Sequence, residues 1–287
     1  MTYAPGQALG GLTATLGPLP LGSVDDQGVA WRLQEIDGWD SAEVRAESQL
    51  READHGAWPS PVYLGERPIT LGGSIQAPDL ATLDGAIDRL RALPLMGTVL
   101  TVMETVPKQT VVRRSGRILI KYLTDTVATY SVLVTAADPR LYATTDTVTT
   151  LRLPTVTGGL TFPITLPTTI DATVVAGDTT VVNAGSIDAR PQLRIAGPVS
   201  QPLISVTGPD PDQGATSLLY GGDIAAGDWL DLDCDAHTAY YNSVASRRSL
   251  TSGTWPVLQP GASNLAFRAG AYSAAATLTV TYRSAWM

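Results

Sequence analysis

Residues 67–94 have the sequence RPITLGGSIQAPDLATLDGAIDRLRALP. The first part favours a β-strand over 67–75. Asp79 then offers a carboxylate to the free N–H groups of a first helical turn, and Pro94 ends the segment. The apolar residues between them recur at helical spacing and are Leu80, Leu83, Ile87 and Leu90. The stretch predicts one amphipathic helix over 79–93, and a lone helix in a β-rich chain is best placed to close one end of a β-barrel.

Alternating apolar residues predict strands on both sides of this helix. Trp31 and Leu33 alternate with polar neighbours, as do Tyr130 and Val132 further along the chain. The predicted strands of this half lie at 12–16, 29–36, 41–49, 67–75, 98–103, 111–114, 117–123 and 128–134. A turn with Pro139 follows them, and we place a domain boundary near residue 143.

Two local signals refine the first half. Residues 117–123 are expected to pair back on 111–114 through a hairpin turn at Ser115-Gly116. Residues 55–61 (HGAWPSP) are expected to form a loop, because their two prolines cannot donate ladder hydrogen bonds.

The second half changes composition and is rich in Thr, Val, Leu and Gly, with few charges before residue 187. Short extended segments separated by Pro and Gly turns are typical of a β-sandwich. The predicted strands lie at 148–153, 172–175, 179–183, 191–195, 203–206, 217–220, 229–233, 240–244, 265–267 and 277–282. We therefore expect a mostly β chain with a barrel domain over 1–143 and a sandwich domain over 144–287.

The charge and cysteine content exclude several classes of function. The net charge is -8 and the pI about 4.7, which argues against the basic surface of a nucleic-acid-binding protein. The single cysteine, Cys234, excludes an intrachain disulfide and a CxxC site. The N-terminal sequence lacks a signal peptide pattern, and no apolar run approaches the ~20 residues of a membrane span. We expect a soluble protein made in the cytoplasm.

Catalytic signals are weak. His55 and His237 are the only histidines, and a Ser/His/Asp site also needs a nucleophile and an orienting carboxylate. His237 has acidic neighbours, but the chain has no G-x-S-x-G sequence, and His55 lies in an expected loop. No catalytic residue and no cofactor site is predicted.

An acidic strand is the strongest metal-like pattern. Asp231, Asp233 and Asp235 share one face with His237 if the strand is regular, and carboxylates in a row can bind Ca²⁺. A calcium loop of the EF-hand type would need Gly and Glu at the sixth and twelfth positions, where this chain has Ala and Asn. The pattern favours a solvated acidic face, with Leu232 and Cys234 pointing inward, and no metal is predicted.

Other polar and aromatic groups leave alternatives open. Residues 113–117 (RRSGR) form a basic segment that suits a solvated turn or subunit contact better than nucleic acid. Residues 209–214 (PDPDQG) are expected to form an ordinary turn. The aromatic residues that could stack on a sugar are Trp255, Trp286, Tyr240, Tyr241, Tyr272 and Tyr282. Packing in the core is the expectation for most of them, and Trp255 and Tyr272 are the best sugar-stacking candidates.

The order of several short sequences along the chain resembles the distal tail protein family of siphophages. In the first half they are IDGW at 36–39, HG at 55–56, RPITLGG at 67–73, AIDRL at 86–90 and ADPRLY at 137–142. In the second half they are NAG at 183–185, RP at 190–191, IAGP at 195–198, GDWLDLD at 227–233, WPVLQPGASNLAF at 255–267 and TYRSAW at 281–286. In the stretch before Asn264, Ala262 and Ser263 are inserted relative to the family pattern.

This resemblance implies an architecture and a role. Members of the family have an N-terminal β-barrel with a helix and a C-terminal galectin-like β-sandwich. Their barrels form a ring, typically a hexamer, at the distal end of the tail tube. The implied partners are the tail tube protein, a tail-tip hub or tail-associated protein and a receptor-binding protein, and the implied location is the virion tail tip, assembled in the host cytoplasm.

Two alternatives remain beside this structural role. One is a carbohydrate- or receptor-binding virion protein that uses the C-terminal sandwich. The other is a different virion β-protein, such as a tail tube subunit or a capsid decoration protein, although the two-domain length disfavours a tube subunit. An enzyme is the least favoured class.

Overall fold

The computed structural model describes residues 12–157, 173–175 and 177–287. The predicted fold class is confirmed, because the described chain is built mostly of short strands and contains a single α-helix. The chain divides into two compact units, Met1–Thr144 with Met287, and Thr145–Trp286. Among the described residues, no helix has the length and apolar character needed to cross a membrane.

The described part of the first unit, from residue 12 onward, contains fourteen strands and helix α1 (Leu80–Arg91), which lies between the ninth and tenth strands. The strands are β1 (Thr13–Leu16), β2 (Leu19–Leu21), β3 (Ser23–Val24), β4 (Ala30–Asp37), β5 (Val44–Arg45), β6 (Ser48–Leu50), β7 (Ala57–Pro59), β8 (Tyr63–Leu64), β9 (Arg67–Gln76), β10 (Thr98–Met103), β11 (Lys108–Arg114), β12 (Leu119–Thr124), β13 (Val127–Ala136) and β14 (Leu141–Ala143).

The main sheet of this unit closes into a barrel. Its strands are hydrogen-bonded in the order β2-β1-β10-β11-β13-β9-β4-β3. Only Gly22 separates β2 from β3, and its φ of 94° bends the chain in a way that other residues rarely adopt. The bent strand therefore pairs with β1 through one half and with β4 through the other, which leaves the sheet without open edges at this point.

Helix α1 begins where the sequence predicted. The side chain of Asp79 accepts a hydrogen bond of 2.8 Å from the backbone N–H of Thr82, as expected of an N-cap. The buried side chains of the helix are Leu83, Ala86, Ile87 and Leu90. The inclusion of Leu80 in the apolar stripe was wrong, because this first helical residue is 47% exposed.

The helix spans one end of the barrel. Arg89 forms an ion pair of 2.7 Å with Asp25, which precedes β4. Arg114, at the end of β11, donates a hydrogen bond of 3.2 Å to the carbonyl of Arg91. Because β4 and β11 lie far apart in the strand order, these contacts show that α1 crosses the opening, where its apolar side chains meet the core.

The predicted hairpin between residues 111–114 and 117–123 was wrong. Strand β12 pairs with the first half of β13, and β11 pairs with the last residues of the same strand. Both are antiparallel to β13, so β11 and β12 run in the same direction along one edge, and residues 115–118 interrupt that edge. Gly116 lacks the positive φ that a two-residue hairpin turn requires.

Residues 44–64 form a projecting double-stranded segment, here called the hairpin arm. Strand β5 pairs with β8, and β6 pairs with β7. The expectation of a loop over 55–61 was wrong for Ala57–Pro59, which form β7 and pair with Ser48, Gln49 and Leu50. The predicted strand over 41–49 is divided between β5 and β6.

A buried arginine joins three segments of the first unit. The side chain of Arg67 is fully buried at the start of β9. Its Nε donates a hydrogen bond of 2.8 Å to the carbonyl of Pro139, and its Nη1 donates to the carbonyl of Trp39. Burial lowers the pKa of this guanidinium, and the carboxylate of Asp40 opposes that shift.

The second unit contains strands β15 to β30. They are β15 (Thr147–Arg152), β16 (Thr155–Thr157), β17 (Thr173–Val175), β18 (Asp178–Asn183), β19 (Gln192–Ala196), β20 (Val199–Ser200), β21 (Leu203–Thr207), β22 (Ala215–Tyr220), β23 (Asp223–Ile224), β24 (Trp229–Asp233), β25 (Thr238–Tyr241), β26 (Ala245–Ser246), β27 (Thr251–Gly253), β28 (Gly261–Arg268), β29 (Thr277–Tyr282) and β30 (Ala285–Trp286). Short 3-10 helices occupy Pro211–Gln213 and Arg248–Leu250.

Two antiparallel sheets form the sandwich of this unit. One has the order β15-β29-β19-β24-β25-β26 and the other the order β18-β28-β21-β22-β27. In β29, Leu278, Val280 and Tyr282 are buried, which confirms the predicted alternation with threonines. The predicted strand over 240–244 was wrong only beyond Tyr241. Tyr240 and Tyr241 belong to β25, but the chain then turns at Asn242 and Ser243, whose φ angles are 50° and 59°.

A buried asparagine joins three segments of the second unit. The Nδ2 of Asn183 donates to the carbonyls of Ile187, at 2.8 Å, and Leu258, at 3.0 Å. Its Oδ1 accepts from the backbone N–H groups of Gly185, at 3.0 Å, and Ala285, at 3.2 Å. All four contacts of this amide are with backbone groups, so one side chain fixes the turn after β18, the segment before β28 and the C-terminal strand.

Replacing Arg67 with methionine keeps much of the side-chain volume but leaves the carbonyls of Trp39 and Pro139 without donors. We expect Arg67→Met to lower the free energy of unfolding by about 2–4 kcal/mol. The measurement is urea unfolding followed by circular dichroism. Arg32→Met, at an exposed position of β4, is the matched control. A loss no larger than that of the control would show that the buried guanidinium is dispensable.

Candidate functional site

The outer face of the six-stranded sheet carries a shallow polar groove with a volume of about 440 Å³. Side chains on this face alternate with the buried ones because the period of a strand is two residues. The groove is lined mainly by Gln192, Arg194, Asp231, Asp233, Tyr240 and Thr279. It is the part of the sandwich in which the predicted acidic strand meets an exposed aromatic ring.

The negative charge of the Asp231 carboxylate is stabilised by hydrogen bonds from its neighbours in this groove. Its Oδ1 accepts from Arg194 Nε at 2.6 Å, and its Oδ2 accepts from Ser243 Oγ at 2.6 Å and Trp229 Nε1 at 3.1 Å. Partial burial acts to raise the pKa of this carboxyl, but the hydrogen bonds from Arg194, Ser243 and Trp229 outweigh it, so the pKa is lowered. The carboxylate is therefore held ionised by protein donors.

The other two predicted carboxylates also have separate roles. Strand β24 ends at Asp233, whose Oδ1 accepts from the backbone N–H groups of Asp235 and Ala236. Asp235 pairs with Arg190 at 2.8 Å. The row of side chains expected to continue from Asp231 through Asp235 to His237 is therefore broken at the end of the strand. No group of three potential metal ligands occurs among the described residues.

The two histidines lie in different units. His55 is exposed near the tip of the hairpin arm. His237 has a left-handed φ of 54° and stacks on Trp255, with ring centroids 5.2 Å apart and an interplanar angle of 12°. Trp255 is only 7% exposed, so the expectation that it offers a stacking face for a sugar was wrong. A loop histidine covers this indole.

The four tyrosine candidates differ in how much of each ring is exposed to solvent. Tyr282 is buried, and its hydroxyl donates to the carbonyl of Val182 at 3.1 Å. Tyr241 donates to Asp228 at 2.8 Å and is a structural contact. Tyr240 is 40% exposed and Tyr272 is 59% exposed, but of these two only Tyr240 lines the groove.

The basic segment at residues 113–117 is part of the barrel wall. Arg113 pairs with Glu66 at 3.0 Å, and Arg114 is bound to the end of α1. A second groove, of about 390 Å³, runs along β12 and is lined by Arg117, Leu119 and Lys121 together with residues 129–131 of β13. Residues 113–117, for which a solvated turn or subunit contact was expected, thus end at a groove that runs along β12.

Sequence reasoning missed two exposed apolar surfaces of the first unit. The hairpin arm carries Val44, Leu50, Trp58, Val62 and Tyr63, each more than 60% exposed. Strand β12 carries Leu119, Tyr122 and Leu123, each exposed by about half. Trp58, which lies in a short segment with Gly56 and Pro59, was a signal for the first surface. The alternation of apolar and polar residues does not by itself distinguish a strand of the core from an exposed strand.

The comparisons with known proteins agree with this architecture. Residues 184–286 match the family model of the siphovirus-type tail component, C-terminal domain. This match confirms the resemblance to siphophage distal tail proteins that the sequence suggested. No curated protein sequence matches the chain.

Solved structures of phage proteins align with the chain. The Dit protein of phage SPP1, described as a paradigm of the hub adsorption apparatus in phages infecting Gram-positive bacteria, aligns with a TM-score of 0.63 and 12% identity over 96% of this chain and 99% of that chain. A chain of the phage P2 baseplate in its activated conformation with Ca aligns with a TM-score of 0.46 and 8% identity over 91% and 99%. The likeness to the SPP1 protein shows a common fold over nearly the whole chain.

The single cysteine provides a test of the packing behind the groove. Cys234 is fully buried, and burial raises the pKa of its thiol, with a further contribution from Asp233. We expect the native protein to react with a thiol reagent such as DTNB only after unfolding. Val148→Cys, at a position that is 59% exposed, should react at once and is the positive control. Rapid labelling of the native wild-type protein would contradict this packing.

Proposed function

We propose that this protein is a structural hub at the distal end of the tail of a long-tailed bacteriophage. In this role it forms a ring, with six copies as the expected number, and connects the tail tube to the tail-tip apparatus. The observation that carries the proposal is the family match of residues 184–286. The fold shared with the SPP1 Dit protein over nearly the full length supports it.

We assign different roles to the two domains. Residues 1–143 form the ring through the barrel, and residues 144–287 provide a sandwich that carries tip proteins. The partners are the tail tube protein, a tail-tip hub or tail-associated protein and a receptor-binding protein, and the location is the virion. Neither catalysis nor a cofactor is part of this role.

The charge of the chain suits a ring that DNA passes through. A lumen of this kind should not retain the phosphate backbone, and a net charge of -8 disfavours such contacts. Several arginines of the barrel are also engaged with carboxylates, as in the pairs Arg89–Asp25 and Arg113–Glu66. This pairing lowers the tendency of the protein to bind nucleic acid non-specifically.

The ring is tested by negative-stain electron microscopy of the purified protein together with its mass in solution. We expect closed rings with a mass near six times that of the 30.1 kDa chain, because a head-to-tail interface that closes produces cyclic symmetry. Long tubes would instead indicate a tail tube subunit. A protein that forms neither rings nor a complex with its tail tube protein would contradict the proposal.

The groove of the sandwich favours a second candidate function, the binding of a carbohydrate receptor. It combines the exposed ring of Tyr240 with the hydrogen-bonding side chains of Gln192 and Arg194, which suits a sugar bound by stacking and polar contacts. If the groove has this function, a glycan array gives specific signals. We expect Tyr240→Ala to lower the affinity for the bound glycan at least about tenfold, because one aromatic stacking contact is lost. Tyr272→Ala, outside the groove, is the matched control. A silent array would contradict this second function and leave the hub proposal unaffected.

A further inference from the structure

The hairpin arm exposes several large apolar side chains to water. Leu50 is 78% exposed, and Val44, Trp58, Val62 and Tyr63 are each exposed by 61–63%. The strands of the arm pair only with one another among the described strands. An isolated two-stranded hairpin is marginally stable, and a concentration of exposed apolar side chains on one short segment favours an interaction surface. The arm therefore has the features of a surface that another molecule covers.

Strand β12 has the complementary feature, which is an unpaired edge. Among the described strands it pairs with β13 alone, so its second edge presents N–H and C=O groups without a strand partner. Leu119 is 49% exposed, Tyr122 is 46% exposed and Leu123 is 55% exposed. The groove of about 390 Å³ lies along the outer face of this strand. An extended apolar segment could add to the edge and fill the groove.

The charges of the two surfaces are opposite. The arm carries four carboxylates, at Glu43, Glu47, Glu52 and Asp54, counting from the residue before β5, against two arginines, Arg45 and Arg51. Residues 117–124, which contain β12, carry Arg117 and Lys121 and no carboxylate, whereas Arg113 is already paired with Glu66. The net acidic arm and the net basic edge are thus complementary in charge as well as in apolar character.

The positions of these surfaces on the barrel favour contact between copies. The arm joins the main sheet at Arg67, the first residue of β9. Strand β12 pairs with the part of β13 that lies opposite the other end of β9, where Val127 faces Gln76. Through β13, strand β12 lies opposite residues 72–76 of β9, so it is about 17–30 Å along the sheet from the root of the arm at Arg67. Different patches on one chain that fit each other produce a head-to-tail contact, which is the type that closes into a ring.

We propose that the hairpin arm of one copy docks against the β12 edge and groove of a second copy. The arm lies along the edge strand, its apolar side chains cover Leu119 and Leu123, and its carboxylates face Arg117 and Lys121. This inference rests on the proposed ring and identifies the surfaces that make it. The occupant of the groove is therefore another copy of this chain, not the tail tube or a tip protein.

Cysteine crosslinking between copies tests the contact directly. The full-length single variants Trp58→Cys, on the arm, and Leu119→Cys, on β12, are mixed and oxidised. We expect a disulfide-linked dimer that requires both variants, because buried Cys234 is shielded from oxidation. Trp58→Cys mixed with Val148→Cys is the matched control, because Val148 is at least as exposed as Leu119 but lies in the second unit. Equal crosslinking in both mixtures, or none in the first, would overturn the proposal.

Charge reversal gives an independent readout of association. Arg117→Glu with Lys121→Glu, or Glu47→Lys with Glu52→Lys, should each weaken self-association by about tenfold or more in sedimentation experiments. Combining the two pairs in one chain should restore most of the affinity. Full-strength rings in both charge-reversed proteins would overturn this docking while leaving the hub proposal intact. A wild-type protein that stays monomeric at about 1 mM, where even millimolar contacts are populated, would overturn the contact between copies itself.

Discussion

The organisation of the first unit depends on the buried guanidinium of Arg67. Removing a charge of this kind from water is costly, and the cost is offset only when several acceptors surround it. Here the acceptors are the carbonyls of Trp39 and Pro139, which belong to segments far apart in the sequence. The turn after β4 can approach because Gly38 has a φ of 79° and because a side chain there would lie 2.0 Å from the carbonyl of Pro68. One desolvated group thus fixes the exit of β4, the entry to β9 and the segment after β13, and so places the root of the hairpin arm.

The same principle explains why short, locally unspecific sequences can carry a family resemblance. Residues 36–39, 67–73 and 137–142 meet at Arg67, and residues 183–185, 255–267 and 281–286 meet at Asn183. Each piece is a turn or strand end when considered alone. Each also supplies either a buried polar side chain or a backbone group bound to one, and such groups are costly to leave unpaired. The resemblance to the family therefore depends on the spacing and order of these short sequences more than on any one of them, because each forms its buried contacts only when the others are present.

The sequence predicted the features that local physics determines. The cap at Asp79 and the buried stripe at Leu83, Ile87 and Leu90 follow from helix geometry, and β24 and β29 were predicted with the boundaries that the structure shows. The errors lie where tertiary pairing decides. Ser115-Gly116 has the composition of a hairpin turn, but the length of β13 lets it pair with β11 and β12 on one edge. In the candidate groove, alternation placed Asp231 and Asp233 outward, but it could not show that Arg194 and the turn after β24 would occupy their carboxylates.

The exposed apolar side chains are not required by either core. Trp31, Ile75, Ile87 and Val132 are almost fully buried within the barrel, and Ile195, Phe267 and Leu278 are buried within the sandwich. Stability of the separate units therefore does not explain why Leu50 and Trp58 face water, since such residues favour aggregation when they are left uncovered. The chain carries two exposed apolar surfaces of opposite charge, the hairpin arm and the β12 edge. Both are accounted for if the folded subunit is a component of an assembly. The buried polar groups then specify the subunit, and the uncovered apolar groups specify how subunits join.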